Sequence, residues 1–112
     1  MKLVVLILLA LVVPATASAG EASLKKGNEF MARGEWKKAT KALARATAKL
    51  KDTGRRAQAF KQLGLAHVEL KDLRAAEGAF SQALTADPLI DVDAKEDSPR
   101  AVALFRGMRD RL

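Results

Sequence analysis

The chain has 112 residues, which is enough for one small domain, since a single hydrophobic core needs most of that length. It contains no cysteine, which excludes disulfide bonds, thiolate zinc sites and a lipid attached through an N-terminal cysteine. The formal charge of +7 is uneven: positions 20–56 carry 11 Lys/Arg and 4 Asp/Glu, whereas positions 57–112 carry 8 and 9.

The first nineteen residues have the three-part pattern of an export signal. Lys2 precedes an apolar run at positions 3–13, and small residues end the segment at Ala17-Ser18-Ala19. We expect cleavage after Ala19, which gives an exported protein, periplasmic or secreted. The alternative is a retained membrane anchor, but about eleven apolar residues are fewer than the roughly twenty that a spanning helix needs.

From position 21 onward, apolar residues recur at intervals of three and four, the spacing of one helix face. The pattern predicts an all-α fold, and short turns at Gly34-Glu35 and Lys71-Asp72 make two antiparallel hairpins. Between the hairpins, Gly54 is suited to closing the preceding helix. The five predicted helices span residues 21–33, 36–51, 55–70, 73–86 and 99–111.

An internal repeat relates the two hairpins at a constant offset of 37 residues. Such an offset is typical of stacked helical repeats, in which each hairpin buries its apolar face against a neighbour. The matched positions are Gly27 with Gly64, Phe30 with His67, Ala39 with Ala76, Leu43 with Phe80, and Ala46 with Ala83.

At these positions the chain resembles the tetratricopeptide repeat family, and in particular small exported bacterial members of it. The resemblance covers positions 20–88 as two repeats and implies a short right-handed solenoid. In the first repeat, Lys26 stands where the family usually has leucine. The second repeat carries the pattern at Phe60, Leu63-Gly64, Ala76, Phe80, Ala83 and Asp87-Pro88.

The acidic linker at positions 89–97 contains the spacing Asp91-x-Asp93, which suggests a calcium loop. Lys95 stands where a third oxygen ligand belongs, and the linker has no glycine for the sharp turn. We therefore predict a solvated linker without metal, whose apolar side chains pack on the neighbouring hairpin. Those side chains are Leu89, Ile90 and Val92.

Residues 98–112 are predicted to form a capping helix over the second hairpin. Ser98-Pro99 is a favourable helix start, and apolar side chains then fall on one face. Alternatively, this helix is half of a third repeat that a second copy completes. The interface of that homodimer would contain Ala101, Phe105 and Met108.

No catalytic, cofactor or metal site is predicted. His67 is the only histidine, and it takes the place of an aromatic residue in the repeat, which favours a packing role. Without cysteine or a second histidine, the chain lacks the groups that most often build an active site or bind a transition metal. We expect a protein that is not an enzyme.

The family resemblance implies a peptide-binding groove lined by the first helices of successive hairpins. The mixed polar and apolar lining suits an extended or helical segment with apolar side chains. At the positions of this chain that match the groove of the family, the lining residues are Leu24, Asn28 and Met31 with Lys61, Leu65 and Val68.

A basic stripe follows the second helix at helical spacing. It is either a solvated outer face or a surface for an anionic partner, such as lipid head groups or an acidic polymer. The stripe consists of Lys37, Lys38, Lys41, Arg45 and Lys49.

Two functions follow from these surfaces. The first is a non-catalytic protein–protein interaction module or scaffold of the cell envelope, which binds a peptide or helix in the groove. The alternative is an electrostatic adaptor that contacts an anionic membrane surface or polymer through the basic stripe. Binding through the stripe should fall steeply with salt, whereas groove binding should survive moderate salt. Nucleic acid is not expected as a partner, because the chain is exported and lacks exposed aromatic residues for base stacking.

Overall fold

The computed structural model describes residues 18–112, where all regular secondary structure is helical. This confirms the predicted all-helical fold with five helices in that part of the chain. The predicted export signal lies outside the described residues except for its last two positions, Ser18 and Ala19. The helices are α1 (Ala19–Ala32), α2 (Trp36–Lys49), α3 (Thr53–Glu69), α4 (Leu73–Ala86) and α5 (Pro99–Arg111).

Side-chain caps fix where most of these helices begin. Ser18 Oγ accepts the Glu21 N–H at 3.0 Å, so α1 begins at Ala19, before its predicted start. Asp52 Oδ2 accepts the Arg55 N–H at 2.9 Å, and α3 also begins early. Gly54 therefore lies in the first turn of α3, and the prediction that it closes the preceding helix is wrong.

The same turn ends the first helix of each hairpin. Gly34 and Lys71, at equivalent positions of the repeat, both have left-handed backbones, with φ of 73° and 64°. After Gly34, the Glu35 N–H donates to the Phe30 carbonyl at 2.9 Å, and the equivalent bond of the second turn has the same length. The backbone of the two turns thus repeats at the offset found in the sequence.

Within each hairpin, the two helices touch at a glycine. A Cβ added to Gly27 would overlap the Leu43 side chain, and one added to Gly64 would overlap the Phe80 ring. Both overlaps are closer than real Cβ atoms approach their neighbours. The second hairpin therefore repeats the close contact of the first, with a phenylalanine in place of the leucine.

Buried side chains form one cluster around each hairpin. Phe105 of α5 is fully buried and meets Phe80 edge to face, with ring centroids 5.2 Å apart and planes at 88°. Helix α5 therefore covers a face of the second hairpin that would otherwise be open. The first cluster comprises Leu24, Ala39, Leu43, Ala46, Leu50, Ala59 and Ala66. The second comprises Leu65, Val68, Ala76, Phe80, Leu84, Val92, Ala101 and Phe105.

Two of the three residues assigned to the homodimer alternative are buried within the chain itself. Ala101 and Phe105 both belong to the second cluster. Met108 is half-buried and packs against that cluster. A second copy that docked on this conformation would therefore meet other side chains of α5.

The linker between α4 and α5 is held by Asp91. Its carboxylate contacts Arg106 at 3.3 Å and Arg109 at 3.4 Å, both on α5. Its main-chain carbonyl accepts a hydrogen bond from Lys61 Nζ on α3 at 3.0 Å. One residue thus joins the linker to two helices.

The three apolar residues of the linker differ in how far they are buried. Val92 is buried in the second cluster and Ile90 packs against it, as predicted. Leu89 is 91% exposed, so the prediction that it packs on the hairpin is wrong. It lies in the turn after α4, where its N–H donates to Asp87 Oδ1 at 3.0 Å, and the chain reaches the core only beyond it.

Substituting Gly64 tests the close contact in the second hairpin. Gly64→Ala is expected to destabilise the protein by about 1–3 kcal/mol, because the added methyl group must displace the Phe80 ring. The matched control is Gly78→Ala on α4, where an added Cβ meets nothing within 4 Å. That change is expected to stabilise by about 0.5–1 kcal/mol, since alanine is the better helix former.

Urea unfolding followed by circular dichroism measures both free energies of unfolding. Effects of equal sign and size for the two substitutions would contradict the described packing at Gly64.

Candidate functional site

The linker carries the Asp91-x-Asp93 spacing, which was considered as a calcium loop. Within residues 18–112, no group of three or more His, Cys, Asp or Glu side chains is placed to hold a metal ion. The carboxylate of Asp91 accepts the Val92 N–H at 2.8 Å and contacts α5, while that of Asp93 accepts the Lys95 N–H at 2.8 Å. Both aspartates of the suspected calcium spacing thus have protein partners.

Three of the six predicted groove residues lie on α3 beneath the linker and α5. Leu65 and Val68 are 5% and 3% exposed, and both belong to the second cluster with Val92 and Phe105. Lys61 is half-buried and donates to the Asp91 carbonyl. The chain's own linker therefore occupies this part of the predicted groove.

The other three predicted residues lie on α1 and have different surroundings. Leu24 belongs to the first cluster, and Met31 is half-buried and packs against both clusters. Asn28 is exposed, and its Oδ1 accepts a hydrogen bond from Gln62 Nε2 of α3 at 2.9 Å. The six predicted residues therefore do not form one continuous open groove.

An open depression instead runs along α1, and we call it the α1 groove. It includes two of the predicted residues, Leu24 and Asn28, and adds charged and small side chains that the family resemblance did not indicate. The sequence signal for them is the spacing of three and four from position 18 to 32. The lining consists of Ser18, Glu21, Ala22, Leu24, Lys25, Asn28, Glu29 and Ala32 with Arg55 of α3.

A forked ion pair closes one end of the α1 groove. Arg55 Nη2 and Nε donate to the two carboxylate oxygens of Glu21 at 2.6 and 3.1 Å. These hydrogen bonds hold the pKa of Glu21 below its usual value and raise the pKa of Arg55. Because the two residues are 34 positions apart, sequence periodicity could not reveal the contact.

The basic stripe lies on the exposed side of α2, and all five of its residues are exposed. Lys38 is 3.4 Å from Glu35 and lies over the Phe30 ring at 5.9 Å. None of the other four has an ion-pair partner among the residues that the structure describes. Those four are Lys37, Lys41, Arg45 and Lys49.

None of the helices found between residues 18 and 112 combines the length and the apolar character needed to cross a membrane. Comparisons of the chain with protein-family models, with curated proteins and with solved structures gave no match.

Removing the Asp91 carboxylate tests how the linker is held over α3. Burial raises the pKa of Asp91, but the Val92 N–H with Arg106 and Arg109 outweighs it, so the folded pKa is below the usual value. A carboxyl group whose pKa is lower in the folded protein stabilises the folded state at pH values above its unfolded pKa of about 3.9. This stabilisation is lost as the pH falls through the folded pKa.

Asp91→Asn is therefore expected to lower stability at neutral pH and to have no effect at low pH. The loss should be at most about 1 kcal/mol, because the side chain is 44% exposed and solvent screens the pair. Urea unfolding at pH values from neutral to below the folded pKa measures the difference. The control is Asp110→Asn. Asp110 is 76% exposed, and its ion pair with Arg109 is long, at 3.9 Å. A pH-independent difference for Asp91→Asn would contradict this role.

Proposed function

We propose that the protein is a non-catalytic interaction module or scaffold of the bacterial cell envelope, and that it binds a peptide or helix of another protein. We assign the chain to the tetratricopeptide repeat type, with two repeats in positions 20–88 stacked as a short right-handed solenoid. The repeated turns and the repeated glycine contacts at one offset support that assignment. The burial of Phe105 against Phe80 supports a capping role for α5.

The observation that carries the proposal is the way α3 holds the linker. Lys61 binds a main-chain carbonyl of the non-helical linker, while Val92 of the same linker is buried in a cluster with Leu65. Main-chain recognition combined with a side-chain pocket is a general mode of peptide binding. The first helix of the second hairpin thus already holds a non-helical segment of the chain.

On α1, the equivalent positions border the α1 groove instead of lying beneath the linker. At the offset of 37 residues, Lys61 and Leu65 correspond to Leu24 and Asn28, and both of these line the α1 groove. Small Ala22 and Ala32 leave room above the helix, and charges of both signs line the groove. We infer that the partner segment lies in the α1 groove, with apolar side chains against α1.

Export to the periplasm or the outside of the cell is part of the proposal, and the pattern of positions 1–19 supports it. Cleavage after Ala19 would remove Ser18, which caps α1 and lines one end of the groove. Gly20 would then begin the helix, packed against the Leu50 backbone. The groove of the cleaved protein would therefore be more open at that end.

A second candidate function is an electrostatic adaptor for an anionic membrane surface or polymer. The observation in its favour is the basic stripe, whose four cations without ion pairs in residues 18–112 leave a strongly positive helix face. Contacts of this kind are screened by salt, so the two candidate functions are separable by ionic strength.

Site-specific photo-cross-linking in cells tests the groove proposal. A photoreactive residue at Lys25 or Ala32, on the α1 groove, is expected to give a discrete adduct with another protein. The matched controls carry it at Glu77 or Gln82, which are exposed on α4 outside the groove. The same adducts should form when extracts are irradiated at moderate salt, because the contact is short-range and partly apolar.

Equal adducts from α1 and α4, or none from α1, would contradict the groove proposal. Adducts that no longer form when extracts are irradiated at moderate salt, or after substitution of the basic stripe by glutamine, would favour the electrostatic adaptor instead.

A further inference from the structure

A second cleft, separate from the α1 groove, lies between the first half of α2 and the end of α3. Three lysines of the basic stripe and the only histidine of the chain border it. We call it the α2–α3 cleft. Its lining is Lys37, Lys38, Thr40, Lys41, His67, Leu70 and Asp72.

The α2–α3 cleft carries positive charge that the described chain does not neutralise. Lys37 and Lys41 lie one helical turn apart, both are exposed, and neither forms an ion pair within residues 18–112. Lys38 Nζ forms an ion pair with Glu35 at 3.4 Å. The carboxylate of Asp72 accepts the N–H of Ala75 at 3.2 Å as the cap of α4. The positive charge of the two lysines without ion pairs is thus larger than the negative charge of the one carboxylate on the rim.

His67 adds a hydrogen-bonding group to the same cleft. Its Nδ1 is buried and has no hydrogen-bond partner in the described chain, which is uncommon for a buried polar atom. A buried N–H without an acceptor is more costly than an unused lone pair, which favours the tautomer with its N–H at Nε2. Nε2 is then the donor that the ring offers to a ligand. Thr40 Oγ1 is already used, since it donates to the Lys37 carbonyl at 2.7 Å.

We propose that the α2–α3 cleft binds a phosphate dianion, held by Lys37 and Lys41 with His67 as hydrogen-bond donor. Lysine ammonium groups are compact point charges, and lysine is a common ligand of phosphate in proteins. The site is smaller than the basic stripe, because Arg45 and Lys49 do not border it. It does not depend on the peptide proposed for the α1 groove.

The single histidine makes the test specific, since an untagged chain gives imidazole proton NMR signals from His67 alone. Inorganic phosphate is titrated at about pH 7.5, where phosphates are mostly dianionic, with chloride adjusted to keep the ionic strength constant. A saturable shift of the His67 signals is expected. A shift that does not saturate, or that chloride reproduces, overturns the proposal.

Two double variants with the same change in net charge separate the cleft from the stripe. Lys37→Gln/Lys41→Gln is expected to weaken phosphate binding by about tenfold, as for the loss of two exposed charge contacts. Arg45→Gln/Lys49→Gln, on the same helix but away from the cleft, should change it by less than about twofold. Equal losses in both variants overturn a discrete site in favour of diffuse attraction to α2.

His67→Phe, followed by calorimetry because it removes the NMR reporter, tests the donor. It should weaken phosphate binding about three- to tenfold. The thermal unfolding midpoint of this variant should not fall, since phenylalanine keeps an aromatic ring at this position and removes the unpartnered Nδ1. Unchanged phosphate affinity in a folded His67→Phe variant overturns the role of His67.

Vesicles distinguish a lipid head group from a soluble phosphate as the source of the dianion. Phosphatidylcholine vesicles with phosphatidic acid present phosphomonoesters, and vesicles with the same fraction of phosphatidylglycerol present only diesters. Preferential binding to phosphatidic acid that requires Lys37 and Lys41 supports a head group. Saturable binding of inorganic phosphate without preference among vesicles supports a soluble phosphate. If the protein shows neither preferential binding to phosphatidic acid nor saturable binding of inorganic phosphate, the proposed site is wrong.

Discussion

At equivalent positions of the two hairpins, a glycine of the first helix lies so close to a side chain of the second helix that an added Cβ would overlap it. Gly27 faces Leu43 and Gly64 faces Phe80, and the left-handed turns that follow allow each partner helix to return at that distance. Close approach brings the alanines of facing helices into contact, so that a chain with few large aromatic residues still builds a core. The repeat in the sequence is therefore a repeat of this contact.

The linker and α5 cover one side of the second hairpin. Phe105 packs on Phe80, and Asp91 joins the linker to α3 and α5. The linker thereby occupies the part of the predicted groove that Lys61, Leu65 and Val68 form on α3. Within residues 18–112, helix α1 instead borders an open groove, and this is the surface on which we propose that a partner binds.

Periodicity and turn residues were sufficient to predict the five helices, because both are local properties. The early starts of α1 and α3 depended on caps at Ser18 and Asp52, which lie in segments that were interpreted as a cleavage site and a connection. The groove was predicted less well. The burial of Leu65 and Val68 depends on where a distant linker packs, and repeat position alone does not contain that information.

The charges of the protein serve two different purposes. The pairs Glu21–Arg55 and Asp91–Arg106 join elements distant in sequence, whereas the cations of α2 touch no anion in residues 18–112 except at Lys38. Like charges one turn apart destabilise a helix by several tenths of a kcal/mol per pair, so the basic stripe lowers the stability of α2. An anion bound there would relieve this repulsion. Binding at the stripe would therefore stabilise the first hairpin, and with it the helix that presents the α1 groove.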